Sequence, residues 1–479
     1  MSPASLPVRT DVLIIGAGPA GLTLSTALAL NGVDHLTIEP NESVAPGSKA
    51  AGIQPRTLEY LDTLGIAEDL IAAGERSDGF AVHEGDNILM RLGFGQLETP
   101  YPFLLLLGQQ ATEGILANHA SQVGARVRRG YRLLDWTADF PGVIATIAGP
   151  DGVVRAVRAR YLIGADGVHS TVRQRAGIPF AGTSPDQRYA LADVRLAEPP
   201  PDRDTAFFLS RNGMVLVAGL PGGLHRIVAP VAPDTPPPDA AAAQALLRER
   251  SGLPFRQADV AEVLAASTYH AQQRVAGRFV DGPIVLLGDA AHTHSPAGGQ
   301  GLNTGIQDAA NLAWRLTEIC RHGADPALLA GYHDERRPVA EELIAFTGQL
   351  TALATLTDPQ LIKLRNSVLG AAATAPEVTD WLARRLSQLS IGYAPNGAGP
   401  THGTRLNPLV LRQHPDRPRW VLADPGAPDI TDRGRFLVVP APDLSNPVLV
   451  RPDGYVEAVG PDTSHAAEEY LPGVATGRR

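Results

Sequence analysis

Three apolar runs in this chain end in glycine, and after each one the hydrophobic pattern changes from strand-like to helical. Asp11 to Ile15 is a continuous run of the buried-strand kind. Gly16-Ala17-Gly18-Pro19-Ala20-Gly21 follows it, and then a helix with apolar positions at Leu22, Leu24, Ala27 and Leu28 runs to a stop at Gly32. A second strand, Leu36 to Ile38, ends in Glu39 and completes a β-α-β unit. Further on, Tyr161 to Gly164 leads into the turn Asp166-Gly167 and a short helix from Ser170 to Ala176 that carries Arg173 and Arg175. The third run, Ile284 to Leu287, passes through Gly288-Asp289, a loop interrupted by Pro296 and a glycine-rich stretch. It then enters a helical pattern from Ile306 to Ile319.

The segments between these runs differ in character. Leu58, Leu61, Leu64 and Ile66 predict one short amphipathic helix within residues 48–70, with Pro55 near its start. Residues 79–104 are strand-like and aromatic, with Phe80, Phe94, Tyr101 and Phe103, and residues 126–164 alternate as strands. Prolines cluster at 199–201 and 236–238, around alternating stretches from Arg211 to Gly219 and from His225 to Val231, with an Ala-rich helix at 239–250. Residues 306–392 read as helical, broken at Asp325-Pro326 and Arg337-Pro338, and a Pro/Gly-rich tail with short strands follows. The pattern predicts an α/β chain of three parts. A nucleotide-binding domain spans 1–78, 105–182 and 271–392, an inserted mainly β substrate domain spans 79–104 and 183–270, and a small C-terminal domain spans 393–479.

Composition narrows the class. The chain has 479 residues, 44% hydrophobic and 19% charged, and this is the balance of a soluble globular protein with several cores. A net charge of −9 without any basic block argues against nucleic acid as a partner. With no secretory leader pattern and no long apolar run, the expectation is a cytoplasmic protein without a membrane partner. Cys320 is the only cysteine, so an intramolecular disulfide, a CxxC redox pair and a thiolate metal cage are all impossible.

The motifs carry the chemistry. A GxGxxG turn alone is weak evidence. Here a strand precedes it, a helix follows, and Glu39 stands 23 residues after Gly16, about where an acid is needed for ribose hydroxyls. Asp289 sits at a strand end, where a carboxylate accepts hydrogen bonds from a ribitol or ribose hydroxyl. The backbone N–H groups of Gly298 to Gly301, at a helix start, can hold negative charge. Gln109 stands at a strand-to-helix junction, and Arg56 and Lys49 are cations within reach of a pyrophosphate or a ring edge. Each has a plainer reading as well, as a helix cap, a solvated cation or an ordinary turn. His292 and His294 have a spacing that converges on a metal ion, but without nearby cysteines no metal is expected.

Taken together, GAGPAG, IGADGVHSTVR and GDAAHTHSPAGGQGLNTGIQDAANLAWRL resemble the group A flavoprotein monooxygenases, the single-component aromatic hydroxylases, over residues 8–345. LVRPDGYVEA, residues 449–458, is similar to a segment of the thioredoxin-like C-terminal domain of phenol, phenylpropionate and aromatic polyketide hydroxylases. The resemblance implies a Rossmann-like FAD-binding domain of the glutathione-reductase type and a thioredoxin-like tail. Lacking redox cysteines, that tail is left with packing or a contact in a homodimer. The resemblance also implies FAD as cofactor, NADPH or NADH as transient co-substrate, and dioxygen transferred through a flavin hydroperoxide to an aromatic small molecule.

Carried over by position, Gly16, Gly18, Pro19, Ala20 and Gly21 would approach the FAD pyrophosphate and Glu39 the adenosine ribose. Arg56 and Gln109 match FAD contacts in the family's RTLE and QxxxE segments, and Asp166 its DG motif. Asp289 would meet the ribitol and Pro296 would lie beside the isoalloxazine. Gly298, Gly299, Gly301, Leu302 and Asn303 would cap its pyrimidine edge. Two positions depart from the family pattern: Pro40 after Glu39, where Arg or Lys is common, and Glu457-Ala458 in the tail. No catalytic base is identified, since His83, His225, Arg211, Arg226, Tyr101 and Tyr269 all suit structural roles. Baeyer–Villiger insertion, antibiotic inactivation and a non-oxygenase flavin reductase or ligand-binding flavoprotein remain as alternatives.

Overall fold

The computed structural model describes residues 6–43, 50–183, 187–198, 203–253, 259–393, 402–410, 417–427, 429–434, 436–460 and 463. Its helices in chain order are α1 (Pro19–Leu30), α2 (Pro55–Thr63), α3 (Ala67–Ala73), α4 (Gln109–Gln122), α5 (Thr171–Arg175), α6 (Ala240–Ser251), α7 (Gly301–His322), α8 (Ala330–Ala354), α9 (Pro359–Ala373) and α10 (Pro376–Leu386).

The apolar runs at the glycine turns form the middle of one sheet, ordered Val280–Asp281, Ile284–Leu286, Val154–Gly164, Arg9–Ile15, His35–Glu39, Val127–Arg129. From Ile284–Leu286 onward these strands run parallel. Val12, Leu13, Ile14, Leu162 and Ile163 have no exposed surface. Strands covered on both faces have no polar side to show, so they read as unbroken apolar runs rather than as alternation. The register places Ile15 between Ile38 and Gly164, and Gly164 beside Leu286. The three glycine turns therefore leave one edge of the sheet together.

A second sheet, of seven strands, is ordered Val260–His270, Arg188–Leu196, Leu224–Val231, Gly213–Leu220, Thr205–Ser210, Gly79–Glu84, Asn87–Gly93. It joins the segment before α4 to the segment after α5. Ala243 and Leu247 of α6 pack with Val194, Phe208, Val215 and Ile227 on one side. Elsewhere the sheet's Phe80, Met90 and Leu92 pack with Leu386 and Leu389 at the end of α10.

A third sheet takes five short strands, ordered Thr431–Asp432, Phe436–Pro440, Trp420–Asp424, Val448–Val450, Val456–Val459. It docks on α7 through Trp420, whose ring meets Trp314 edge-on at 5.5 Å and whose Nε1 donates to Glu318 at 3.1 Å. Beside this contact Arg451 grips Glu335 of α8 at 2.7 and 3.0 Å and Asp453 at 3.0 and 2.8 Å. Arg315 of α7 adds a bond to Glu335 at 2.9 Å. Burial disfavours charge on Glu335, but Arg451 and Arg315 outweigh it and hold the carboxyl down at about 2.

Three local expectations are corrected. The helix expected in residues 48–70 is two helices, α2 and α3, parted at Gly65, where φ is +75°. No break occurs at Pro338, which lies inside α8. There the burial of Tyr332, Arg336, Ala340, Leu343 and Thr347 along one face outweighs the hydrogen bond a proline forfeits. Finally, α7 begins at Gly301, five residues ahead of the apolar pattern at Ile306, because glycines carry no periodicity. Among the described residues no helix is long and apolar enough to cross a membrane.

Candidate active site

The edge where the parallel strands end is built from close backbone approaches. Gly16 has φ +108°, and a Cβ there would lie 2.3 Å from the carbonyl oxygen of Ala165, so the first glycine turn rests directly on the Asp166 turn. Pro19 opens α1 in the first helical position. A Cβ on Gly305 of α7 would meet Ala20 Cβ at 3.4 Å and Gly288 Cα at 3.3 Å, so both helix starts and the third turn converge. Glu39, at its strand end, accepts the Ala17 N–H on Oε2 at 3.0 Å and Asn41 on Oε1.

Asp166 Oδ2 accepts the N–H groups of Thr171 at 2.7 Å and Val172 at 3.2 Å, holding the start of α5. Its Oδ1 is buried and has no hydrogen-bond partner among the described residues. Desolvation pushes this carboxyl up, against the lowering effect of Ser170 and the backbone donors. Arg173 donates to the carbonyl of Ala290 at 2.8 Å and so ties α5 to the third turn. Asp289, within that turn, is exposed.

The loop into α7 is stitched by side-chain amides. Pro296 is half-buried and Gly298 and Gly299 follow, both with positive φ, at +78° and +62°. The first helical N–H bond is that of Thr304 to Gln300 O, at 2.9 Å, so the donors of Gly301, Leu302 and Asn303 sit at an open helix start. Asn303 spends its amide on the scaffold: Oδ1 accepts from Gln54 N at 2.8 Å, and Nδ2 donates to Gly52 O at 2.9 Å and Gly299 O at 2.8 Å. Gln54 Nε2 donates to Gly298 O at 3.1 Å.

The two histidines of the loop do different things. His292 Nε2 meets Asp308 Oδ2 at 2.7 Å, and Arg336 Nε donates to Asp308 Oδ1 at 2.7 Å, all three groups buried. Burial opposes charge on Asp308, yet Arg336 and His292 prevail and keep it below the usual carboxylate range. His294 Nδ1 donates to Ser295 O at 2.7 Å, and its Nε2 faces Gly301, where a Cβ would lie only 2.9 Å away. Desolvation pushes its imidazole down to about 4.

Two of the cations expected here call for comment. The Arg56 guanidinium is directed at the C-terminal segment rather than the strand-end edge. It pairs with Glu59 at 3.0 Å, donates to Asp453 O and lies 4.9 Å from the Tyr455 ring centre. A buried guanidinium goes where several acceptors already wait, and Glu59, one turn along α2, supplies the opposite charge among them. Lys49 lies outside the described residues. Gln109 opens α4, taking Ala50 N on Oε1 at 3.3 Å and donating to Glu113 at 2.7 Å.

The seven-stranded sheet reaches the same loop. The Tyr189 hydroxyl lies close to Ser295 and Thr351, which bond each other at 2.6 Å, and Tyr269 stacks on Tyr189 at 5.7 Å. Arg226 is buried between both oxygens of Asp193, at 2.7 and 2.8 Å, and also donates to Ala50 O at 2.8 Å. His83 packs against Phe208 at 4.7 Å, His225 is desolvated with its pKa lowered, and Arg211 is exposed.

Sequence reading missed Gln54, Gln300, Asp308, Arg336 and Gln388. Asn303, Gln307, Asn311 and Arg315 recur every four residues on α7, a stripe that reads as a wet helix face but is buried. The residues present fit a long dinucleotide with a flat ring at one end. A Cβ at Gly18 or Gly299 would meet nothing within 4 Å, a buried carboxylate oxygen is unpartnered at Asp166, and an open helix start faces the same edge.

Comparison with known proteins agrees. Residues 9–347 match the family model described as FAD binding domain. An uncharacterized aromatic compound monooxygenase of Bacillus subtilis is 34% identical over 97% of this chain and 98% of its own. A 12-dehydrotetracycline 5-monooxygenase/anhydrotetracycline 6-monooxygenase of Streptomyces rimosus is 33% identical over 94% and 95%. Among solved structures, an anhydrotetracycline hydroxylase from Streptomyces rimosus superposes with a TM-score of 0.79 at 30% identity, covering 96% of this chain and 99% of its own.

Proposed function

Because the chain belongs to the FAD binding domain family of flavin-dependent aromatic monooxygenases, we propose that it hydroxylates a phenolic, fused-ring aromatic of the polyketide kind in secondary metabolism. The observation that carries this reading is the convergence of the Gly16, Asp166 and Gly288 turns and the α7 start on one sheet edge. The tetracycline monooxygenases, similar over nearly the whole chain, supply the substrate class.

When bound, FAD supplies the redox chemistry, taking electrons from NADPH or NADH and activating dioxygen. The chain's own part is to bind, orient and exclude water. Gly16, Gly18, Pro19, Ala20 and Gly21 let the first turn lie against the pyrophosphate, and Glu39 offers its remaining acceptor capacity to the adenosine ribose. Asp166 Oδ1 takes a donor from the cofactor side, and Asp289 takes the ribitol hydroxyls. Gln109 holds the chain at Ala50, beside the cofactor. Pro296 walls the ring, and the donors of Gly298, Gly301, Leu302 and Asn303 face its pyrimidine edge, where electron gain builds negative charge, while Gly299, whose N–H is given to Pro296 O at 3.1 Å, leaves open space beside it. Arg56 is reassigned to the C-terminal contact.

The segments 79–104 and 183–270 form the substrate domain. There the buried Tyr189 and half-buried Tyr269 give an aromatic wall near Ser295 that suits a flat ligand and keeps water away. Residues 393–479 act as a packing unit on the thioredoxin-like plan, without thiol chemistry.

The test is dioxygen uptake by the yellow holoprotein with NADPH and a panel of phenols and hydroxylated polycyclic quinones, with product masses taken from the same vials. One compound should accelerate uptake and gain a single oxygen atom. Consumption of NADPH without oxygen uptake, with a ligand gaining hydrogen, would replace the reading with a reductase.

A further inference from the structure

We propose that Gln388 is a positioning residue for the first turns of α7, and that through them it sets how strongly the site favours the reduced, negatively charged flavin. This rests on the reading above that the α7 start faces the flavin's pyrimidine edge. Gln388 follows α10 and has φ +62°, the one non-glycine residue with positive φ among the described residues. A helix end in the left-handed region ordinarily takes glycine or asparagine, because a longer side chain is strained there. Glutamine at such a place needs a reason, and its buried side chain supplies one.

The Gln388 amide reaches three levels of α7. Its Oε1 accepts from Gln307 Nε2 at 2.5 Å, and its Nε2 donates to Thr304 Oγ1 at 3.1 Å and toward Gln300 O at 3.5 Å. A bond also runs the other way, from Gln300 Nε2 to Leu386 O at 2.9 Å. Glycine would allow the backbone shape but make none of the side-chain bonds. Behind them lies a cavity of about 210 Å³, lined by Gln300, Thr304 and Gln388 together with Leu343 and Phe346. On that side no close packing fixes the turn, so the amide clip does. Displacement of the turn moves the donors of Gly301 to Asn303, whose value to a developing negative charge depends on distance and aim.

The test compares wild-type, Q388G and Q388N holoproteins, reading the midpoint potential of bound FAD, its visible spectrum and its affinity. D289A is carried beside them. Q388G keeps the backbone conformation without strain and deletes the clip, so it should retain FAD with a shifted visible spectrum. Its preference for reduced over oxidised flavin should fall about threefold to tenfold, roughly 15 to 30 mV for a two-electron couple. Should Q388G fail to hold flavin, Q388N decides, since Asn tolerates the backbone but is too short to span to Thr304; the same drop supports the proposal. A wild-type potential and spectrum in the flavin-binding variant, with FAD affinity lost in D289A, overturns the role of Gln388 alone. Unchanged FAD affinity in D289A overturns the site reading and this proposal with it.

Discussion

At the scale of single residues, the loop before α7 shows how burial sets protonation. His294 is driven from its ordinary 6.5 to about 4 by desolvation, with only a backbone carbonyl in its favour. The unfolded chain therefore takes the proton first as pH falls, and the neutral imidazole's contribution is whole above 6.5 and lost progressively toward 4. Between those limits the wild type should lose up to about 3 kcal/mol that H294Q does not. Urea titrations of both proteins in half-unit pH steps check this; parallel curves would show that the ring is not desolvated. Asp308, ionised between Arg336 and His292, adds no such slope near neutrality.

At the scale of elements, the strand-turn-helix that opens the chain leaves little room for change. Gly16 combines positive φ with a backbone oxygen where its Cβ would stand, so G16A must separate two turns that leave the sheet edge proposed to hold the dinucleotide. FAD binding should weaken at least tenfold, about 1.4 kcal/mol or more, as followed by fluorescence on titrating apoprotein with FAD. Retained affinity would mean that the turn yields without moving the site. This element was also the most legible, because burial on both faces leaves a continuous apolar run and a tight turn leaves glycines. The α7 start was legible as glycines, though not as a helix boundary. The stripe from Asn303 to Arg315 was illegible as interior, since periodicity reports which residues share a face and not what covers it. The contacts of Arg56 were illegible for the same reason: its partners Asp453 and Tyr455 lie some four hundred positions away in sequence.

At the scale of the whole molecule, the C-terminal sheet is fastened by charge as well as by the tryptophan pair. Arg451 is the hub, and removing it leaves buried Asp453 and half-buried Glu335 without their main counter-charge. R451M should cost about 3–5 kcal/mol in urea unfolding at neutral pH, the penalty of breaking a buried pair from one side. A loss under about 1 kcal/mol would mean that water enters the gap and solvates the carboxylates.

One property of α7 reaches further than stability. A single rod of 22 residues, about 33 Å long, carries the donors proposed to face the flavin at one end and Trp314 and Glu318, which receive the C-terminal sheet, toward the other. The part of the chain that can be exchanged between relatives is therefore not the C-terminal sheet alone. A chimaera joined within the tail would set one parent's Arg451 against the other's Glu335 and Arg315. A junction ahead of Gly301 would carry both halves of each pair, together with the donors they keep in line, as one inherited piece.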